Sequence, residues 1–342
     1  MKPDVTGLGR GVCMALILST YACGGGSSTP APTPITPPAP TPTVPANPDA
    51  WSIAGQVVLT GSSQSAAGAQ VSPGWSLPAV TVGAEGTFRL GDLTNLPPTN
   101  PFPVSVSGPG LITHDMWLSW QRGDRTGVTL DAIRDAPPFS MTFYRQFVRG
   151  TYDEPAAPYA WLGWTSAPSF YVKTVDQNGR PIEPEVMTVV LDAIGRSVPA
   201  WTGGRMSARA IESGTEDRPQ LDGWINVVIR RDPSEHRTCG FAYIGANPGS
   251  ITLNDDVCSC GSIKIPGAVV LHEVGHALGF FHVEDRNSIM YPFAAGDCPA
   301  GALSAAEAFH AAIAYKRPRG NTDPDKDPSS ARTLLKTPPL AR

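Results

Sequence analysis

The segment that most limits what this chain can fold into is His272-Glu273-Val274-Gly275-His276-Ala277-Leu278-Gly279-Phe280-Phe281-His282, which holds three of its six histidines. A helix beginning near Pro266, a residue suited to a first helical position, sets His272 and His276 about 40° apart around the axis and about 6 Å along it. Both rings then face one point. On a straight helix His282 would lie about 15 Å beyond His272 and off the shared face. The chain must turn to bring it back, and Gly279 suits a left-handed exit from the helix. Three imidazoles meeting at one cation, with a fourth position open to water, is the arrangement of a catalytic zinc site. The reading is therefore one Zn²⁺ held by His272, His276 and His282. Glu273, beside the first ligand, is placed as general base toward a water whose pKa zinc lowers to about 7.

Eight residues past His282 the chain reads Ser288-Ile289-Met290-Tyr291-Pro292. The long motif followed by this turn resembles the metzincin clan of zinc peptidases, and the gap and the Met-Tyr-Pro ending are most similar to its matrixin branch. The resemblance implies that Met290 forms an apolar floor under the ligands without touching the metal. It implies that Tyr291 helps to wall a substrate pocket. It also implies an edge strand before the active helix that pairs with extended substrate, with Ile251 and Leu253 as candidates. The expected activity is endopeptidase cleavage of a protein or peptide. Val283 departs from the Ser or Thr that matrixins commonly have there. No propeptide cysteine motif and no second histidine-rich site accompany the motif. The competing reading is a surface binding or scaffold protein built on a latent or inactive metzincin fold. Its mark would be loss of Glu273 or of a ligand, and all four residues are present.

The surrounding pattern fits one α+β catalytic domain over 137–320, with a twisted mixed sheet, an active-site helix and a C-terminal helix. Residues 169–172, 224–230, 241–244 and 250–253 read as strands, and 185–198 as a helix. Ser304 and Glu307 form a capping-box pattern opening a last helix that runs to about Tyr315. His310 on that helix reads as structural. Before this domain, 51–132 reads as a small all-β sandwich, with strands at 56–59, 87–90 and 104–107 and turns at Gly61, Gly83, Gly86, Pro97 and Pro98. Its Gly55-Gln56-Val57-Val58, Gly68-Ala69-Gln70-Val71 and Gly86-Thr87-Phe88-Arg89-Leu90 segments resemble carboxypeptidase regulatory-like or transthyretin-like domains. His114 there reads as a packing histidine. The polar, Pro-bearing tail 321–342 is expected to be disordered.

Lys2 and Arg10 flank a short start, and Val12–Leu18 is an apolar run too short to span a bilayer, so 1–22 reads as a signal peptide. Ala22-Cys23 resembles the lipobox of bacterial lipoproteins, with Thr20 where that family usually has Leu. It implies lipidation at Cys23 and an exported, membrane-anchored protein. Ordinary cleavage after Ala22 with an incidental cysteine is the other reading. Residues 23–50, from that cysteine through a Pro- and Thr-rich run, read as an extended tether. The net charge of −4 gives no basic footprint for nucleic acid. Of the six cysteines, Cys239, Cys258, Cys260 and Cys298 lie in the catalytic half. In an exported protein they suggest two disulfides, one of Cys258 and Cys260 pairing with Cys239 and the other with Cys298. A C-x-C metal site is the alternative.

Overall fold

Alternating apolar and polar residues shape the first half into strands, because successive strand side chains point to opposite faces. The computed structural model describes residues 51–74, 77–93, 101–119, 124–231, 238–255, 263–292, 301–329 and 340–341. All of these belong to one compact unit, Asn47–Arg342. Residues 1–50, read above as a signal peptide, Cys23 and a tether, lie outside the described residues.

The strands are β1 (Trp51–Leu59), β2 (Gln70–Pro73), β3 (Val80–Thr81), β4 (Thr87–Leu93), β5 (Phe102–Ser107), β6 (Leu111–Ile112), β7 (His114–Leu118) and β8 (Arg125–Arg134). They make two four-stranded sheets, in the orders β4-β1-β8-β6 and β3-β2-β5-β7. In β5 every second residue is buried, and Phe102, Val104 and Val106 join Ile53, Val57, Phe88, Leu90 and Leu130 in one apolar cluster shared by both sheets. This half is not sealed off from the next. Ile112 and Ile133 pack into the core of the residues that follow.

The second half runs α1 (Met141–Arg149), β9 (Ser169–Lys173), α2 (Pro184–Trp201), β10 (Ala210–Gly214), β11 (Trp224–Arg230), β12 (Gly240–Tyr243), β13 (Gly249–Asn254), α3 (Gly267–Ala277), α4 (Ala305–Ala314) and β14 (Leu340–Ala341). One six-stranded mixed sheet has the order β10-β9-β11-β13-β12-β14. Strands β10, β9, β11 and β13 run parallel, and β12 is antiparallel to β13 and to β14. Pro184, which lacks an N–H to leave unsatisfied, begins α2. Its buried Val186, Val190, Ile194, Val198 and Trp201 face the core. Trp201 Nε1 donates to Leu271 O at 2.9 Å, tying α2 to α3.

Two expectations are corrected here. Ile251 and Leu253 are not on an edge, because β13 lies between β11 and β12 and both side chains are buried. Its nearly continuous burial is that of a sheet interior. Outside β13 come β12 and then the two-residue β14, which holds the edge. The tail is also ordered over 321–329. Asp115 N donates to Asp325 O at 3.0 Å and Asp327 N to Asp115 O at 2.7 Å, so the segment after α4 lies along β7. Asn321 and Asp325 are buried. Polar composition suggested exposure, but these groups are buried with partners, which removes most of the cost of leaving water.

Candidate metal centre

Helix α3 follows Pro266, which sits at the N-cap rather than the first helical position. It buries all but the first of its residues, so its two histidines stand inside the protein. The helix closes as the glycine spacing predicts. Gly279 has φ +110°, its N–H bonds His276 O at 2.8 Å, and Phe280 N bonds Gly275 O at 3.0 Å. That pair of bonds is a Schellman ending with glycine at its left-handed position. A Cβ at 279 would also meet Gly163 N at 2.9 Å. The last carbonyls of the helix find side-chain donors, Trp164 Nε1 on Ala277 O and Tyr315 OH on Leu278 O, each at 2.9 Å.

The turn brings His282 back to the other two rings. Its Nε2 is 3.2 Å from His276 Nε2, which is 3.0 Å from His272 Nε2. Each Nδ1 faces an acceptor: Ile289 O at 2.6 Å for His272, Phe280 O at 2.8 Å for His276 and Asp153 Oδ1 at 3.1 Å for His282. A neutral imidazole carries one N–H, so each ring donates from Nδ1 and turns an acceptor lone pair on Nε2 toward the others. Burial, with His282 nearby, lowers the His272 pKa to about 3, and burial pushes His276 well down too. Three lone pairs facing one another at this range repel unless a cation lies among them. Nitrogens bound tetrahedrally at about 2.0–2.1 Å stand about 3.3 Å apart, so the donor set fits zinc.

Glu273 is buried, and its Oε2 has no hydrogen-bond partner among the described residues. Burial raises its pKa well above the usual carboxylate range. The facing strand leaves it room only because residue 240 is glycine. A Cβ there would stand 2.9 Å from Glu273 Oε1.

Met290 is fully buried against α3, where a Cβ on Gly275 would meet its Sδ at 2.9 Å. The turn around it is held on two sides. Met290 O accepts from Val283 N at 3.0 Å, and Met290 N donates to Glu307 Oε1 at 3.1 Å. Glu307 also completes the capping box of α4 with Ser304. One buried carboxylate thus caps a helix and ties down the turn that supplies the carbonyl for His272. The capping box was readable in the sequence, but this second task was not.

Tyr291 is half-buried beneath the Arg286 guanidinium, 5.5 Å from its ring centre. Ile251 and Leu253 are not brought to the histidines' surface. Cys239 is disulfide-bonded, while Cys258, Cys260 and Cys298 lie outside the described residues. His310 is buried, with Nδ1 against Ala306 O at 2.7 Å and Nε2 accepting from Ser140 N at 3.0 Å. Sequence reasoning missed Asp153, 129 residues before its histidine, and no spacing rule could have found it.

Fold and site together define a buried three-histidine cluster that could hold a metal, on a mixed α+β scaffold. The family model for Matrixin matches residues 265–304, which take in the helix, the third histidine and the Met290 turn. With the histidine cluster, this short match fits a metzincin-like pattern and indicates a zinc metallopeptidase. No curated protein matches the chain. Among solved structures, a chain from a type II cohesin–X-dockerin complex of Acetivibrio cellulolyticus, an N-terminal interface mutant, shares 14% identity over 25% of this chain, with a TM-score of 0.20. The match spans 58% of that chain. At that score it carries no argument about this protein.

Proposed function

We propose that this chain is a zinc-dependent endopeptidase of extracytoplasmic proteins, with Glu273 as general base. The observation that carries the reading is the convergence of three Nε2 lone pairs, two of them from the helix that also bears the buried Glu273, whose Oε2 has no partner among the described residues. Zinc held by His272, His276 and His282 would acidify a water and polarise a peptide carbonyl. Its charge would also draw the Glu273 carboxyl back toward its ionised form, since a nearby opposite charge favours the charged state. Glu273 Oε2 then accepts the water's proton as the oxygen bonds to the carbonyl carbon. The same carboxyl gives that proton to the departing amine nitrogen as the C–N bond breaks. Met290 supports the ligands from beneath, and Tyr291 stands at the pocket wall.

Substrate would lie extended along β12, the strand beside Glu273, where backbone pairing asks for little sequence preference. The antiparallel pairing of Leu340–Ala341 on that strand supports its capacity to accept a peptide. Export with a lipid on Cys23 rests on the first fifty residues, and the bonded Cys239 is consistent with an oxidising compartment. The pairing of Cys239 with Cys258 or Cys260, and the carboxypeptidase regulatory-like or transthyretin-like character of 51–132, are proposals from sequence alone. The test is cleavage of a broad peptide library by the zinc-loaded chain beside Glu273→Ala. Cuts by the wild type alone support the reading, and equal cutting by both overturns the role of Glu273.

A further inference from the structure

We propose that Asp153 is a positioning residue for the third metal ligand, an inference that rests on the zinc-peptidase reading. The three histidines are not oriented in the same way. His272 and His276 donate to backbone carbonyls that lie within 17 residues of them. These carbonyls come with the helix ending and the Met290 turn themselves. His282 donates to a carboxylate supplied from another element altogether.

Several contacts register that element to the ligand. Helix α1 ends at Gly150, whose φ of +70° turns the chain, with Gly150 N on Gln146 O at 3.0 Å and Thr151 N on Arg145 O at 3.2 Å. Glu154 N then bonds back to Gly150 O at 2.8 Å, closing the turn that carries Asp153. The same helix grips the chain on both sides of His282. Phe281 N donates to Phe147 O at 2.9 Å, Glu284 N to Gln146 Oε1 at 3.2 Å, and the Phe147 and Phe280 rings stack at 4.3 Å. Asp153 therefore stands at a defined place relative to a ligand whose own backbone is clamped.

The carboxylate selects the His282 tautomer with the proton on Nδ1 and leaves Nε2 as the donor to metal. It also makes that nitrogen a stronger donor than a neutral acceptor would, as second-sphere partners of metal-bound histidines do. About a third of the Asp153 side chain is exposed, so water moderates its charge but leaves the directional bond in place.

The experiment is zinc affinity of the full chain, measured by competition with a chromophoric chelator, and the visible spectrum of the cobalt-substituted protein. Asp153→Ala is expected to weaken zinc binding roughly 10–100-fold and to shift the cobalt bands, with the unfolding temperature of the metal-free protein unchanged. Asp153→Asn, which keeps an acceptor oxygen and the same shape, is expected to lose less. Should Asp153→Ala fail to fold, Asp153→Asn carries the test, with a measurable loss still required. Glu154→Gln, at the next exposed acid, is expected to bind as the wild type. Affinity and spectrum equal to wild type in the Asp153 variants would overturn the proposal, as would an equal loss in Glu154→Gln. A wild type that binds no zinc would overturn the underlying peptidase reading as well. One that binds one zinc indifferent to Asp153 would overturn this inference alone.

Discussion

Two places in this molecule gather side chains that could hold a metal: His272, His276 and His282 in one, His114, Asp325 and Asp327 in the other. Ligand type and spacing make them look alike. Their charges do not. In the first, three neutral rings point acceptors at each other with no cation among the described groups nearby. In the second the cations are already present. Arg317 is buried with Nε 2.7 Å from Asp325 Oδ1 and Nη2 2.7 Å from Asp325 Oδ2, and its Nη1 is 2.7 Å from Asp131 Oδ2. Asn321 Nδ2 donates to Asp325 Oδ1 at 3.0 Å. Burial alone would lower the His114 pKa, but hydrogen bonding to Asp131 and Asp327 outweighs it and raises the value to about 9. The second cluster is a closed set of ion pairs fastening β7 and β8 to the segment after α4. The lesson is that unfilled lone pairs, more than ligand identity, separate a metal site from a salt-bridge network.

The comparison can be broken most sharply at the first site. Glu273→Ala is expected to keep zinc yet lose roughly 10²–10⁴ in peptide turnover, the scale of a positioned acid–base group. Metal content by atomic absorption beside the rate constant checks this. At the second site Arg317→Met would strand the buried Asp325 carboxylate. Urea unfolding should show a loss of about 3–5 kcal/mol, while zinc affinity stays as in the wild type. A fall in zinc affinity to match would show that the two regions are one.

The pH response sharpens the contrast. His114 has a folded pKa of about 9, above its ordinary 6.5. The stability it contributes is therefore full below about pH 6.5 and is lost as pH rises through about 9. Asp131 is held below the ordinary carboxylate range despite its burial, by His114 and Arg317. Its contribution is present above that range and is lost toward acid. The unfolding temperature of the metal-free protein, followed from pH 6 to 10, should fall, and His114→Gln should flatten the slope. The smallest expected effect is at Ser304→Ala, which removes the cap of α4. Thermal unfolding should register about 1 kcal/mol, with zinc retained, because Glu307 still holds Met290 N.

The three histidines were legible because they are local. His272 and His276 share a helix face by periodicity alone, and Gly279 announces the turn that returns His282. The capping box at Ser304 and Glu307 was legible for the same reason. Strand order was not. Ile251–Leu253 reads equally well as an edge or a centre, and only the placing of β12 outside β13 decides between them. The segment from 321 to 329 looked like solvated tail because Asp323, Asp325 and Asp327 are acidic. The placing of its carboxylates depends on Arg145 of α1, His114 of β7 and Arg317 just after α4.

By itself, then, the sequence determined what short-range geometry can determine: a helix carrying two histidines and a carboxyl, a glycine turn, a third histidine and a Met-containing turn. Tertiary structure alone decided that Asp153 meets His282, that Glu307 anchors the Met290 turn, and that Asn321 and Asp325 of the tail are buried against β7 and Arg317. The physical reason is one of range. Helix and turn periodicities act over a few residues, whereas pairing a buried charge or orienting a ring requires partners that only the packed chain brings together.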